Sequence, residues 1–262
     1  MASTTATNAP APHNPELVIR KLDEAVTIFS VPFKRMGLVP FGGRSTAIKL
    51  KSGNVWLAAS HPLCPDTLST ITSLGPVKHI VMFDAEHGMF TESYHKAFPE
   101  AKLYFPPSAT KKWKSKGLLS ETSTNVFTYG EGKGDPFEVD TKGEIKSAHF
   151  TKAHVNEDIA FYHAPTKTMI EADLLMNLPP HEQYSKTSQR SSIPFLDHVT
   201  PGSGVQQKML WYLISKNKQE MSRAAKEVAG WDFDRVIPCH GDVIEPNGKK
   251  AWLDTYAHFL SM

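Results

Sequence analysis

Residues 79–88 read HIVMFDAEHG. The first five, His79 to Phe83, are a short apolar run of the kind that forms a strand covered on both faces. Asp84, Glu86 and His87 follow at once. Side chains just past a strand end can be aimed into a shared cleft, because the sheet holds the backbone behind them. Three more stretches repeat the arrangement. SAHFTKAHVNEDIAFY (147–162) places His154 in a loop between two strands, and TMIEADLL (168–175) puts Asp173 at a strand end. RVIPCHGD (235–242) puts His240 and Asp242 directly after a strand. Each has a plain structural reading, as a helix-capping acid or a hydrogen-bonded histidine. Together they form an ordered set of carboxylate and imidazole donors that one sheet edge can gather.

The chain around them alternates strand and helix patterns. AVTIFSVPF (25–33) is rich in β-formers, and TAIKLK (46–51), a turn at Ser52-Gly53-Asn54, and VWLAAS (55–60) read as a hairpin. CPDTLSTITSLG (64–75) reads as a helix with Asp66 as N-cap and Gly75 at its end. TESYHKAF (91–98) predicts a short helix, KLYFPP (102–107) a strand, and SATKKWKSKG (108–117) a basic helix with a solvated face. EGKGDP (131–136) is a surface loop; EIKSAHF (144–150), DIAFYH (158–163) and KTMIEADL (167–174) are strands. GVQQKMLWYLISKNKQEMSRAAKEVAG (204–230) carries the clearest helical period, stopped by Gly230, and GKKAWLDTYAHFL (248–260) predicts a terminal helix. Strand hairpins alternating with helices suggest two sheets packed face to face with helices outside.

The 262 residues suit one large domain or two small ones, and 40% hydrophobic with 21% charged residues is a globular balance. The net charge of +2, from 29 basic and 27 acidic residues, argues against nucleic acid or an anionic membrane as main partner. No apolar run approaches the roughly 20 residues needed to span a bilayer. Two cysteines make no disulfide framework and point to a reducing compartment. Residues 1–15, rich in Ala, Thr and Pro, read as a disordered tail with neither a secretory core nor presequence arginines, so residues 16–262 are expected to form a single cytoplasmic domain.

The four sites taken in order resemble those of the metallo-β-lactamase superfamily. Lys152-Ala153-His154 followed by the strand Ile159 to Tyr162 resembles that family's second histidine segment, a Pro-Gly-His stretch running into a strand. Ala172-Asp173-Leu174-Leu175 resembles its Gly-Asp-Leu-Leu, which carries a bridging aspartate, and Pro238-Cys239-His240-Gly241 resembles its terminal Pro-x-His-Gly. Order and spacing agree from about residue 25 onward. Gly75-Pro76-Val77-Lys78-His79-Ile80-Val81 is similar to a strand of uncharacterised plant, bacterial and fungal members with a degenerate metal motif. The resemblance implies an α/β fold, an αββα four-layer sandwich with metal between two mixed sheets. The family's His-x-His-x-Asp-His signature is absent, and residues 82–89 read MFDAEHGM. In one register Asp84 and Glu86 stand for the first two histidines and Met89 for the last. In the other, Asp84 stands for the second histidine, Glu86 for the aspartate and His87 for the last histidine. The spacing from His87 to Phe98 favours the second.

The resemblance thus implies a metal site drawn from Asp84, Glu86, His87, His154, Asp173 and His240, with zinc expected and iron or manganese compatible with so many carboxylates. The chemistry implied is hydrolysis of an ester, lactone, thioester or amide of a small molecule by a metal-activated water, with Asp173 or Glu86 handling its proton. Two other outcomes fit a degenerate motif: a metal-free binding or scaffold protein, or an iron-dependent oxidoreductase. Strand alternation places the Cys239 thiol opposite His240, as a buried structural residue. The polar, proline-rich stretch 177–195 is expected to lie over the pocket. No Gly-x-Gly-x-x-Gly or Gly-x-Ser-x-Gly supports dinucleotide binding or serine catalysis.

Overall fold

The computed structural model describes residues 13–115, 126–128 and 136–262. Most of the expected tail, the end of the basic helix and most of the 131–136 loop lie outside the described residues. The chain opens with β1 (Val18–Lys21) and β2 (Val26–Val31), makes a small hairpin of β3 (Lys34–Arg35) and β4 (Val39–Pro40), and continues into β5 (Gly43–Lys49) and β6 (Val55–Ala58). It then alternates through α1 (Pro65–Leu74), β7 (Val77–Val81), α2 (Thr91–Ala97), β8 (Lys102–Phe105), α3 (Pro107–Ser115), β9 (Val126–Thr128) and α4 (Pro136–Asp140). The second half holds β10 (Ile145–His149), β11 (Ile159–His163), β12 (Thr168–Glu171), α5 (Gly204–Met209), α6 (Lys218–Ala229), β13 (Arg235–Pro238), α7 (Gly248–Thr255) and α8 (Ala257–Leu260).

One sheet has the order β1-β2-β5-β6-β7-β8-β9, antiparallel as far as β6 and parallel from β6 to β9. The other is β10-β11-β12-β13, with only its last pair parallel. Strand alternation sorts the buried side chains into layers. Ile48, Trp56, Val81 and Phe83 from the first sheet meet Ile159, Phe161, Ile170 and Ile237 from the second, with the Trp56 and Phe161 rings 5.1 Å apart. The alternate residues Ala47, Leu57, Ile80 and Leu103 pack outward with Ile71 of α1, Tyr94 of α2 and Trp113 of α3. Ala160, Met169 and Val236 pack outward with Met221 and Val228 of α6 and Trp252 of α7. This is the expected αββα sandwich, and strands such as β6 and β11 are buried along their whole length because both faces are covered.

Some local expectations are corrected. Helix α1 starts from Cys64 with Pro65 in its first turn, not from Asp66. Proline's fixed φ and missing N–H suit the first helical position, which draws the start upstream. The stretch 204–230 is not one helix. α5 passes through a wider turn at Leu210–Ile214, the chain leaves the helix at Ser215, and α6 begins after Asn217, whose side chain accepts the Glu220 N–H at 3.1 Å. The interruption lets the backbone pair with the His154 loop: Val155 N–H donates to Ile214 O at 3.0 Å and Lys216 N–H to Ala153 O at 2.8 Å. The terminal helix likewise divides at Tyr256. Among the described residues no helix is long and apolar enough to cross a membrane.

Candidate metal centre

The segments following β7, β12 and β13 meet at one rim of the sandwich. His87 Nε2 lies 3.1 Å from His240 Nε2, and His240 Nε2 lies 3.4 Å from Asp173 Oδ1. Asp84 sits behind His87, with both carboxylate oxygens 2.9 Å from Nδ1. Asp84 Oδ1 also accepts the N–H groups of Glu86 and His87, at 2.7 and 2.8 Å, so an Asx turn sets the ring's position. Donor atoms of Asp84, His87 and Asp173 lie within 4.8 Å of one another, and so do those of His87, Cys239 and His240. Residues about 150 positions apart are thus brought within ligand reach of each other.

Not every predicted donor joins them. Glu86 is exposed, on the wall of the cavity above, and belongs to neither group. His154 is fully buried but also outside both groups. Its Nδ1 accepts the Asn156 N–H at 3.2 Å, while Nε2 has no well-aligned partner and lies near the Asp173 main chain. Asn156 in turn donates to Asp173 Oδ2 at 2.6 Å. Met89 points to solvent. His87 is therefore the member of residues 86–89 that reaches His240.

The supports of the site escaped the sequence reading. Arg44, on β5 and fully buried, donates through Nη1 to Pro238 O at 2.6 Å and Gly241 O at 2.7 Å, so it grips the backbone on both sides of His240. Its other contacts are Ser30 Oγ at 3.0 Å and Glu182 Oε1 at 3.1 Å. Gln183 completes the clamp: Nε2 donates to Cys239 O at 2.8 Å and Oε1 accepts the Gly241 N–H at 2.9 Å. Gly241 has φ +95°, and a Cβ there would lie 2.2 Å from Asn177 O, so only glycine lets the His240 turn pack against the chain leaving Asp173. The 177–195 stretch thus braces the site through Glu182, Gln183 and Tyr184, and none of its residues lines the cavity. Asp158 is a second missed acid: it is buried, and Oδ2 accepts the Asp173 N–H at 2.7 Å. Its sequence signal was a charge heading an otherwise apolar strand.

Electrostatics follow from this crowding. Burial opposes a charge on His87, but the Asp84 and Asp173 carboxylates outweigh it and hold the ring well above the usual imidazole value. His240 and His154 shift the other way, chiefly through burial. Asp173 is lowered despite burial, by His87, His240 and His154 and by the Asn156 hydrogen bond. Burial, reinforced by Asp84 and Asp173, raises Asp158 well above the carboxylate range.

The tautomers can be read from the partners. His240 Nδ1 lies 2.7 Å from Gly42 O, which can only accept, so this nitrogen carries hydrogen. His87 Nδ1 faces a carboxylate and carries one too. With its charge favoured by the two carboxylates, His87 carries hydrogen at Nε2 as well and donates it to the bare His240 Nε2, and a metal ion can take the place of that shared proton. Zinc–nitrogen bonds of about 2.0–2.1 Å at a tetrahedral angle separate two nitrogens by roughly 3.4 Å. The donor set therefore fits a metal ion. Over it lies a cavity of about 150 Å³, walled by Phe33, Phe41, Met89, Phe90 and Met176, with Arg35, Glu86 and Asp173 among its charged side chains.

Residues 36–207 match the model of a family described as a domain of unknown function, DUF4336. The chain belongs to this family. Solved structures show which fold this DUF4336 member has. A metallo-β-lactamase from Erythrobacter litoralis superposes with a TM-score of 0.63 at 13% identity, over 95% of this chain and 99% of that one. VMB-1 gives 0.62 at 14% identity, with 95% and 99% covered. FIM-1 from Pseudomonas aeruginosa, a metallo-β-lactamase solved in a mono-zinc form, gives 0.61 at 11%, with 94% and 95% covered. This DUF4336 member has a divergent metallo-β-lactamase-like fold. No curated protein matches its sequence.

Proposed function

We propose that the protein is a metal-dependent hydrolase of a small-molecule ester, lactone, thioester or amide, with zinc as its metal. One observation carries this reading: two imidazoles whose Nδ1 atoms are both committed to acceptors face each other through Nε2 at 3.1 Å, beside a carboxylate. His87 and His240 would hold the ion through Nε2, with Asp173 Oδ1 3.4 Å from the second; His154, whose Nδ1 accepts the Asn156 N–H, keeps its hydrogen on Nε2 and backs the site without being a donor to the ion. When bound, zinc supplies Lewis acidity, lowering the pKa of a water to about 7 and polarising a carbonyl.

The chain's own groups supply the rest. Asp84 fixes the tautomer and orientation of His87, and Gly42 does the same for His240. Asp173 Oδ1 lies 3.4 Å from His240 Nε2, with Oδ2 tied by Asn156, and would take the water's proton; Glu86, exposed at the cavity wall, would pass it to solvent. The aromatic and methionine walls exclude water and bind an apolar part of the substrate, while Arg35 suits an anionic group on it. Such a protein needs neither nucleic acid nor membrane. Both cysteines are free thiols, which suits the cytoplasm.

Elemental analysis of protein purified without added metal tests the reading. About one zinc per chain is expected in the wild type, with most of it lost in His87→Ala and His240→Ala, and hydrolysis of model esters or thioesters should fall with the metal. A wild-type chain that carries no metal and takes up none on incubation refutes it, and leaves the metal-free binding protein as the better account.

A further inference from the structure

Cys239 follows strand alternation in joining Ile237 in the inter-sheet core, and it also borders the imidazole pair. The ladder carries on one step past Pro238, with the Cys239 N–H donating to Glu171 O at 3.0 Å, and the backbone takes its positive φ only at Gly241. The Cys239 Sγ comes within 4.8 Å of the donor atoms of both His87 and His240, and the residue lines the cavity although it is 3% exposed. The thiol's own partner is a long contact to Arg44 O at 3.5 Å. Asp173 does not share a group of that reach with the thiol.

We propose that Cys239 is a metal donor, its thiolate joining His87 and His240 in a two-nitrogen, one-sulfur triad. This deepens the hydrolase reading and rests on it. As the sulfur–metal bond forms, the S–H bond breaks and its proton leaves to solvent. Asp173 keeps its part as proton acceptor, and a site with three protein ligands would leave the ion open to water. A thiolate also biases the site toward zinc and other thiophilic ions, away from manganese. The Arg44–Gln183 clamp acquires a second purpose, since by holding Pro238 O, Cys239 O and Gly241 O it fixes the sulfur as well as the ring.

Cobalt(II) replaces zinc and reports sulfur directly. Wild-type protein titrated with cobalt should show visible ligand-field bands together with an intense near-ultraviolet sulfur-to-cobalt band. Cys239→Ser should keep the former and lose the latter, and Cys64→Ser, altering the other buried thiol, should match the wild type. Zinc affinity in Cys239→Ser should fall by more than the roughly 10–100-fold that loss of an outer partner costs. A second measurement needs no variant: zinc should protect Cys239 of the wild-type chain from alkylation, mapped by mass spectrometry, while leaving Cys64 unaffected. Cobalt bound without the sulfur band, or no protection by zinc, overturns the thiolate while leaving the hydrolase reading in place. Failure of the wild type to bind cobalt or zinc at all overturns both.

Discussion

Arg44→Met removes a buried cation that holds the backbone on both sides of His240. The replacement keeps much of the aliphatic volume but strips Pro238 O and Gly241 O of their donor and leaves Glu182 with Arg20, at 2.6 Å, and Ser30, at 2.7 Å, as its remaining partners. Breaking a buried pair by deleting one member costs about 3–5 kcal/mol. Glu182 keeps two partners and is part-exposed, which pulls the value toward the lower end. The two carbonyls pull it back, at about 1–3 kcal/mol for each one left unsatisfied. A loss of about 3–5 kcal/mol lowers the melting temperature by roughly 6–20 °C at the roughly 2–4 °C per kcal/mol of a domain this size. Thermal and urea denaturation of the metal-free protein measure it, and zinc titration of the folded fraction should show weakened affinity as well. A variant that melts within a degree or two of the wild type, or that binds zinc equally well, refutes the view that this arginine builds the site.

Further outcomes are expected on the same physics. Asp84→Asn keeps an acceptor for the Glu86 and His87 N–H groups but removes the charge facing His87 Nδ1, so zinc affinity should fall roughly 10–100-fold in a chelator-competition assay with little change in melting temperature. His61, fully buried between Ser45 and Thr67, has its pKa pushed down to about 3 by burial. The unfolded chain therefore takes up this proton first as the pH falls. The stability contributed by the neutral ring is complete above about pH 6.5 and lost toward pH 3, with a slope of up to ~1.4 kcal/mol per unit. Denaturation across that range should show a shallower slope in His61→Gln, with His79, lowered to about 4 by burial, accounting for part of what remains. Asn217→Ala removes the cap of α6 at a cost of about 1 kcal/mol, and hydrogen exchange at Val155 and Lys216 should quicken as the pairing with the His154 loop loosens.

The fold was legible because its cause is local and periodic. Runs such as Ile80-Val81 and Met169-Ile170 divide their two residues between an outer layer and the inter-sheet core, and a strand apolar on both sides has no other home in a soluble chain. The donors were legible for a related reason: Asp84, Asp173 and His240 are polar residues placed abruptly after such runs. What stayed hidden depends on approach between distant segments. No sequence pattern ties Arg44 to Pro238 and Gly241, almost 200 positions away, whose carbonyls take its hydrogen bonds. The helix 204–230 was read as continuous because its apolar period is continuous. The Asn217 cap and the backbone demand of the His154 loop outweigh that period, since unpaired buried N–H and C=O groups cost more than one interrupted turn.

Cys239 makes the same point about the reach of a pattern. Alternation is a property of extended backbone: it carries through Cys239, which joins Ile237 in the inter-sheet core, and ends at Gly241, where φ +95° sets the chain against Asn177. The functional end of a strand is thus the place where the periodic rule that locates it ceases to say which way its side chains face. There the direction is set by what the loop's carbonyls bind, and in this chain they bind Arg44 and Gln183.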